Sequence, residues 1–502
     1  MKISLLVVFT FVALGIVSFL LTRIASHGTS NDLFFKLDRA PESADPLDYD
    51  YFTHHVAFRS VLGTLATQYG AKGFTGELAR SWDQASDSRT WTFRLRTGLT
   101  FSDGNPITSN EVISSWARLN FLLREKGSHS EFFEALVGAD KVKVPGDIPA
   151  GLVSRDNETI VIKLLKPLPK LLEIISFGMY SVVSPKNYDP STGRWLNKNV
   201  VISSNAYKIL SWNKDCLSLG LRDDFPKIAH PNPFRGVQIS WDRAHKLEMK
   251  RQMVFGPSNG ASPVEIKTTF FGSTPSYISY AYCVPFLSKE SPCFSTAFRR
   301  WLKLKSIQEH FLVTGQQELG FFPPGMKGSG SWNFDPTGSS EFSPQGINDK
   351  TLRVSYGINP NPYSTAYVAT LKKILEPLNI QVSESILDYS EFDKTIDAKY
   401  SNRTVDIYLM YTGILIADPI QDLRFMFLSK EGVRLPDSTG EIKKQLAESS
   451  PSIEKISDLL DRQNLIWPLG HFALGFWYTD DIDTSYLNST QPPIEFSWVG
   501  RR

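Results

Sequence analysis

Large apolar residues fall on every second position of Trp91-Thr92-Phe93-Arg94-Leu95-Arg96, and Arg94 and Arg96 share the opposite face. That period of two predicts a half-buried strand, because successive strand side chains point to opposite sides of a sheet. A short helix is expected in the stretch that opens at Gly76, and Gly98 interrupts the strand pattern after it. Asp103-Gly104 then supplies turn chemistry, since glycine reaches positive φ without a Cβ clash. Thr108 stands three residues before Glu111, the spacing of a capping box. Val112, Ser115, Trp116 and Leu119 follow at helical spacing and line one face.

Similar patterning recurs along the chain. Leu33-Phe34-Phe35 opens an apolar strand that leads to a turn at Asp45-Pro46-Leu47-Asp48, and Val56 to Leu65 form an amphipathic run. Ser154 to Leu165 predicts strand with a turn at Asn157, stopped by Lys166-Pro167-Leu168-Pro169 before a helix containing Leu171, Leu172, Ile174 and Ile175. Residues 315–346 are rich in Gly, Pro and Ser and read as a long loop. Tyr363, Tyr367, Leu371, Ile374 and Leu378 fall at helical spacing with Lys372 and Lys373 outward, and Asn379-Ile380-Gln381-Val382 starts a strand. Val405 to Ile416, apolar apart from Asp406 and Thr412, fits a strand buried on both faces, as in a parallel sheet covered by helices.

A chain of 502 residues is too long for a single core, because cores stop growing near ~250 to 300 residues, so two or three lobes are expected. Lys and Arg total 54 against 52 Asp and Glu, a net charge of +2, so no strong field points to nucleic acid or an anionic bilayer. Ile3 to Thr22 carries no charge and is framed by Lys2 and Arg23, which marks an export signal. About 20 apolar residues span a bilayer, whereas a cleavable signal has about 7 to 15, so the length favours an uncleaved inner-membrane anchor through residues 3–22. Ser26-His27-Gly28 leaves cleavage open. Cys216, Cys283 and Cys293 are an odd set for an oxidising compartment: either Cys283 and Cys293 close a short loop, or all three are small buried thiols.

The order Leu-Ala-x-x-Trp from Leu78, Trp-x-Phe-x-Leu-Arg-x-Gly from Trp91, Phe-x-Asp-Gly-x-Pro-Ile-Thr from Phe101, then Glu111-Val112, resembles the signature of the family 5 extracellular solute-binding proteins. Looser likenesses follow at Val182 to Tyr188, at Ser203 to Trp212 with Asn205 and Ala206 in place of the usual Gly-Pro, at Leu219 to Phe225, and at Pro292 to Trp301 with Ser295 in the slot of an acid. The resemblance runs from about Leu33 to Phe476, with gaps near residues 120–150, 244–290 and 315–350. It implies an α/β, two-lobed periplasmic-binding-protein-like fold of type II, the large peptide-binding subclass, with an extra α+β subdomain. Residues 1–28 would be a signal peptide or anchor; 29–60, 181–265 and 476–502 lobe I; 61–180 the extra subdomain; and 266–475 lobe II. The implied function is an extracytoplasmic receptor of an ABC-type importer, periplasmic and closing around a small solute or peptide, with permease and ATPase subunits as partners. A lipobox Cys is missing, and a sensor or scaffold without transport is the alternative reading.

Open α/β lobes bind ligands beyond the carboxyl ends of their strands, so the cleft end of Val405 to Ile416 is the first place to look. Tyr411, Thr412, Gly413 and Leu415 are the candidates there, Tyr411 being equally suited to core packing. Asp418, in Ala417-Asp418-Pro419, resembles the family's turn acid. In peptide-binding relatives an Asp three residues before the acidic-Pro dipeptide neutralises the ligand's amino group; here that slot holds Leu415, and Tyr411 to Ala417 contain no acid. A buried ammonium without a counter-charge is costly, so an uncharged or apolar solute is expected. Phe52 and His54 follow the Asp-Pro turn where relatives present backbone to the ligand, and Tyr280 and Tyr282 precede the entry to lobe II.

Neither a metal nor another cofactor is expected. His54 and His55, read as strand neighbours, would point to opposite faces and not chelate. Gly256-Pro257-Ser258-Asn259-Gly260 matches Gly-x-Ser-x-Gly, but Pro257 and Pro263 flank it and no helical period follows, so it reads as a loop. With no HExxH, P-loop, dinucleotide fingerprint or paired CxxC, the chain is not read as an enzyme.

Overall fold

The computed structural model describes residues 32–37, 40–48, 52–67, 73–128, 130–197, 200–226, 230–241, 251–257, 268–272, 277–283, 291–314, 350–357, 362–387, 405–413, 419–428, 437, 439–448, 451–472, 474–487 and 495–502. The leader, the long loop of residues 315–346 and most of the Gly-x-Ser-x-Gly stretch lie outside them. Among the described residues no helix is long and apolar enough to cross a membrane.

Trp91, Phe93 and Leu95 are buried along the strand Thr90–Leu95 while Thr92 and Arg94 are half-buried, as the alternation predicts. This strand sits in a four-stranded antiparallel sheet, in the order Ala79–Gln84, Thr90–Leu95, Thr159–Lys163, Leu152–Asp156. Ala79–Gln84 is thus a strand and not the short helix expected after Gly76. Its backbone is taken up by the hairpin, where Trp82 faces Phe93 with ring centroids 6.1 Å apart, and cross-strand pairing outweighs local preference. The helix Ser109–Lys126 packs against the sheet with its capping box formed: Thr108 N donates to Glu111 Oε2 at 2.9 Å. It ends at Gly127, whose φ of 67° is the left-handed stop that glycine provides. Trp116 on its inner face is fully buried, and its Nε1 donates to the Tyr180 carbonyl at 2.9 Å.

A seven-stranded sheet forms the next layer, in the order Thr268–Gly272, Leu474–Thr479, Gln252–Pro257, Asp32–Lys36, Gly236–Ser240, Cys216–Leu221, Tyr207–Trp212. One continuous hydrophobic core joins it to the small sheet, from Leu33 and Phe35 through Trp116 and Ile162 to Phe496. The run Val56 to Leu65 lies inside this core. Its helix, Phe52–Phe58, stops early, and every residue from 53 to 67 is buried, so the expected polar face does not exist.

The second large sheet has five strands, in the order Gln381–Leu387, Thr351–Gly357, Ile407–Gly413, Tyr277–Cys283, Ile466–Phe472. In the strand Ile407–Gly413, residues 407–410 are buried on both faces as predicted. Ile407 and Leu409 pack with Phe298, Leu302 and Tyr367 from the helices Thr296–Thr314 and Pro362–Leu375. Tyr408 and Met410 pack on the other side with Leu423 and Ile456, from Pro419–Leu428 and Ile453–Gln463. The sheet is mixed and not parallel throughout, because Tyr277–Cys283 runs antiparallel to both of its neighbours. Cys283 and Cys293 are joined in a disulfide, with Cα atoms 6.0 Å apart.

Thr268–Gly272 hydrogen-bonds to Leu474–Thr479 within the seven-stranded sheet.

Candidate ligand cleft

The strand directions place the carboxyl edges of the two large sheets at the same connections. In the five-stranded sheet Thr351–Gly357, Gln381–Leu387 and Ile407–Gly413 run parallel, and Tyr277–Cys283 opposes both Ile407–Gly413 and Ile466–Phe472. Gly357, Leu387, Gly413 and Phe472 therefore end at one edge, where Tyr277 begins. In the seven-stranded sheet Asp32–Lys36 runs parallel to Gly236–Ser240 and to Gln252–Pro257, and Leu474–Thr479 opposes Gln252–Pro257 and Thr268–Gly272. Lys36, Ser240, Pro257 and Gly272 end at one edge, where Leu474 begins. The short connections from Gly272 to Tyr277 and from Phe472 to Leu474 thus join carboxyl edge to carboxyl edge. Strand ends of this kind are where open α/β sheets bind ligands.

Tyr411, Thr412 and Gly413 finish their strand at this edge, in register with Ser279, Ile278 and Tyr277. Leu415 and Asp418 lie outside the described residues. Tyr280 and Tyr282 are buried at 2% and 0% exposure in the layer between the sheet and the helices around Met426 and Leu460. The Tyr282 ring lies 6.1 Å from Tyr408, and burial, followed by the neighbouring Tyr282, pushes the Tyr280 hydroxyl upward. Both tyrosines are placed in a packed layer by the alternation that sends Ala281 and Cys283 to the opposite core.

Phe52 opens the helix Phe52–Phe58, and His54 is its third residue. His54 Nε2 accepts the backbone N–H groups of Glu42 and Ser43, each at 3.3 Å, which fixes the loop before the Asp-Pro turn and requires the ring proton on Nδ1. His55, on the same helix and not on a strand, faces Phe177 at 5.2 Å. Burial, with Arg59 adding to it, holds its pKa well below the usual imidazole range. Among the described residues no group of three or more His, Cys, Asp or Glu is arranged to hold a metal.

The turn between strand and helix is tied down by a buried ion pair. Asp45 Oδ1 accepts from Leu47 N at 3.1 Å and from Arg118 Nη1 at 3.1 Å, while the guanidinium lies over Tyr188, 5.0 Å from the ring centroid. Burial and the Asp45 charge raise the pKa of Asp48 beside it. Trp212 stands at the carboxyl end of Tyr207–Trp212, 5.1 Å from Phe58, and Trp241 Nε1 donates to the Lys214 carbonyl at 2.5 Å just beyond Ser240. A half-buried Trp closing an edge-directed strand was the available signal.

Residues 73–233 match the family described as bacterial extracellular solute-binding proteins, family 5 middle, a span that covers the small sheet and the strands that follow it. Within residues 73–233 the chain resembles this family of solute-binding proteins. The chain is 24% identical over 175 residues to the periplasmic oligopeptide-binding protein OppA of Haemophilus influenzae, covering 34% of this chain and 32% of that protein. It is 27% identical over 172 residues to the periplasmic murein peptide-binding protein MppA of Escherichia coli, covering 33% and 31%. With the dipeptide-binding protein DppE of Bacillus subtilis it shares 20% identity over 349 residues, 66% and 63%. The match to the first of these spans about a third of that relative's length. The likeness in fold extends further: H. influenzae OppA, solved in complex with RPPGFSPFR, superposes with a TM-score of 0.71 at 14% identity over 94% of this chain and 99% of that one. The murein tripeptide-binding protein MppA of E. coli does so with 0.70 at 15% identity, again over 94% and 99%. The two-lobed α/β fold implied by the signature is the fold observed.

Proposed function

We propose that this chain is an extracytoplasmic receptor of an ABC-type importer that closes two lobes around a small solute and presents the closed form to a permease and its ATPase. One lobe is built on the seven-stranded sheet with the small sheet attached, the other on the five-stranded sheet. The single observation that carries this reading is that both connections between the large sheets join carboxyl edge to carboxyl edge. Such connections leave a cleft at the strand ends and allow hinged closure, and a solute that binds the closed form better shifts the equilibrium toward it.

The relatives named for oligopeptides, dipeptides and murein peptides support a peptide-like solute. The acid-free stretch Tyr411 to Ala417, with Leu415 in the slot of the amine-binding Asp, supports a solute without a free ammonium at that point, whether a blocked peptide or another uncharged or apolar compound. Tyr411, Thr412, Gly413 and Leu415 would contact it; Asp418 would fix the adjoining turn; Phe52 and His54 would shape the opposite wall through backbone. The periplasmic relatives support a periplasmic location, and Ile3 to Thr22 a tether to the inner membrane if it stays uncut. Native mass spectrometry of residues 29–502, expressed without the leader, is expected to show one co-purifying compound lacking a free amino terminus. Ordinary peptides bound stoichiometrically would overturn the assignment of an uncharged solute.

A further inference from the structure

Segments far apart in sequence meet at a buried cluster of charge away from the strand ends. Arg59, just past the helix Phe52–Phe58, and Glu77 are 1% and 0% exposed and pair at 2.6 Å. Arg59 gives Nη1 to Glu77 Oε1 and Nη2 to Glu77 Oε2 and Thr64 Oγ1, while Thr64 N and Oγ1 both donate to Glu77 Oε2, at 2.9 and 2.7 Å. A second carboxyl group, Glu495, is equally buried beside them. It accepts from neutral donors: Trp498 Nε1 at 3.1 Å, Asn205 Nδ2 at 3.4 Å and the Ser497 hydroxyl. Asn205 Nδ2 also donates to Glu77 Oε1 at 2.6 Å and so stands between the two acids. Arg96 donates to the Gly76 and Glu77 carbonyls, Arg222 to the Asn205 carbonyl, and His55 and Tyr207 complete the ionisable groups around the socket.

We propose that residues 495–502 are a proton-gated clasp on the seven-stranded body: Glu495 seats as the uncharged acid and releases the segment when it ionises. The guanidinium pairs with Glu77, and a second negative charge in the same dry socket would meet Glu77 with only that shared Arg59 and neutral donors to offset burial and repulsion. Burial, and then Glu77, push the Glu495 carboxyl up to about 8. Because the folded value is raised above the ordinary carboxyl range, the grip is full at acid pH, weakens as pH rises through the window up to about 8, and levels off beyond it. The clasp holds more than itself. Phe496 N donates to Ser60 Oγ at 2.6 Å, the Phe496 ring lies 5.5 Å from Phe35, the Ser497 carbonyl accepts from His230 N at 2.8 Å, and Gly500–Arg501 pairs with Ile482–Asp483. Its grip therefore reaches the end of the helix that carries His54.

Hydrogen–deuterium exchange of the full chain, corrected for intrinsic rates, tests this. Protection of residues 495–502 is expected to fall by at least about tenfold between roughly pH 5.5 and 8. Glu495→Gln, which keeps the shape without the ionisation, is expected to give a flat profile across the same window. A flat wild-type profile, or a variant with the wild-type slope, would overturn the clasp. If Glu495→Gln does not fold, the wild-type profile decides alone.

Discussion

The two large bodies are held together differently. The seven-stranded body shares one continuous core with the small sheet and runs buried ion pairs through it, Arg59 with Glu77 and Arg118 with Asp45. The five-stranded body is divided by its sheet into separate cores, and a disulfide ties its entering strand to the turn before Thr296–Thr314. A shared core with internal charges makes a single block, in which the Arg118–Asp45 pair fixes the turn at Asp45. A split core with a covalent staple makes a sheet held independently on each face. The first body is therefore expected to fail all at once, and the second in parts.

Breaking the block should have the largest effect. Arg118→Ala leaves Asp45 buried without its partner and is expected to cost about 3 to 5 kcal/mol in urea unfolding, with the transition of the seven-stranded body moving and the other staying in place. Cys293→Ser opens a closed loop whose cysteines are 10 residues apart and should cost about 2 to 3 kcal/mol, seen only in the transition of the five-stranded body. A shift of both transitions together in either variant would show that the bodies are not independent. Thr108→Ala removes the helix cap of the small sheet's helix and should cost about 1 kcal/mol, read in the same transition as Arg118→Ala because the core is shared.

The smallest effect is a pH term. The hydrogen bond from His230 holds Asp483 down to about 2, so this pair's contribution is present above the ordinary aspartate range and is lost as pH falls through about 2. Asp483→Asn should remove about 1 kcal/mol of that acid-limb slope from the seven-stranded body, since the carboxylate is partly solvated. An unchanged acid limb in the variant would show that the pair carries no net stability.

Patterns that depend on nearest neighbours were legible in the sequence. Thr90–Leu95, the Thr108–Glu111 box and the two-faced burial of Ile407 to Met410 follow from alternation and spacing alone. What pairing decides was not legible. Ala79–Gln84 has a helical local composition and becomes a strand because Thr90–Leu95 lies beside it. His54 and His55 share a helix whose surroundings, and not its own sequence, bury it on all sides. Thr268–Gly272 carries no mark of belonging to the first large sheet, because only its partner Leu474–Thr479, some two hundred residues away, says so. Of the cleft candidates, the edge position of Tyr411 to Gly413 follows from strand direction, while the inward place of Tyr280 and Tyr282 needed the register of Tyr277–Cys283. The Glu77, Asn205 and Glu495 cluster was hidden because its members are scattered along the chain and each reads alone as an ordinary polar residue.

Small-angle X-ray scattering bears most directly on the hinged receptor. Residues 29–502 with their co-purified solute are compared with the same protein stripped by reversible unfolding and then given the solute back. The account predicts a larger radius of gyration for the stripped protein and a return to the compact value when the solute is restored. Identical scattering in all three states would contradict closure of two lobes around a guest.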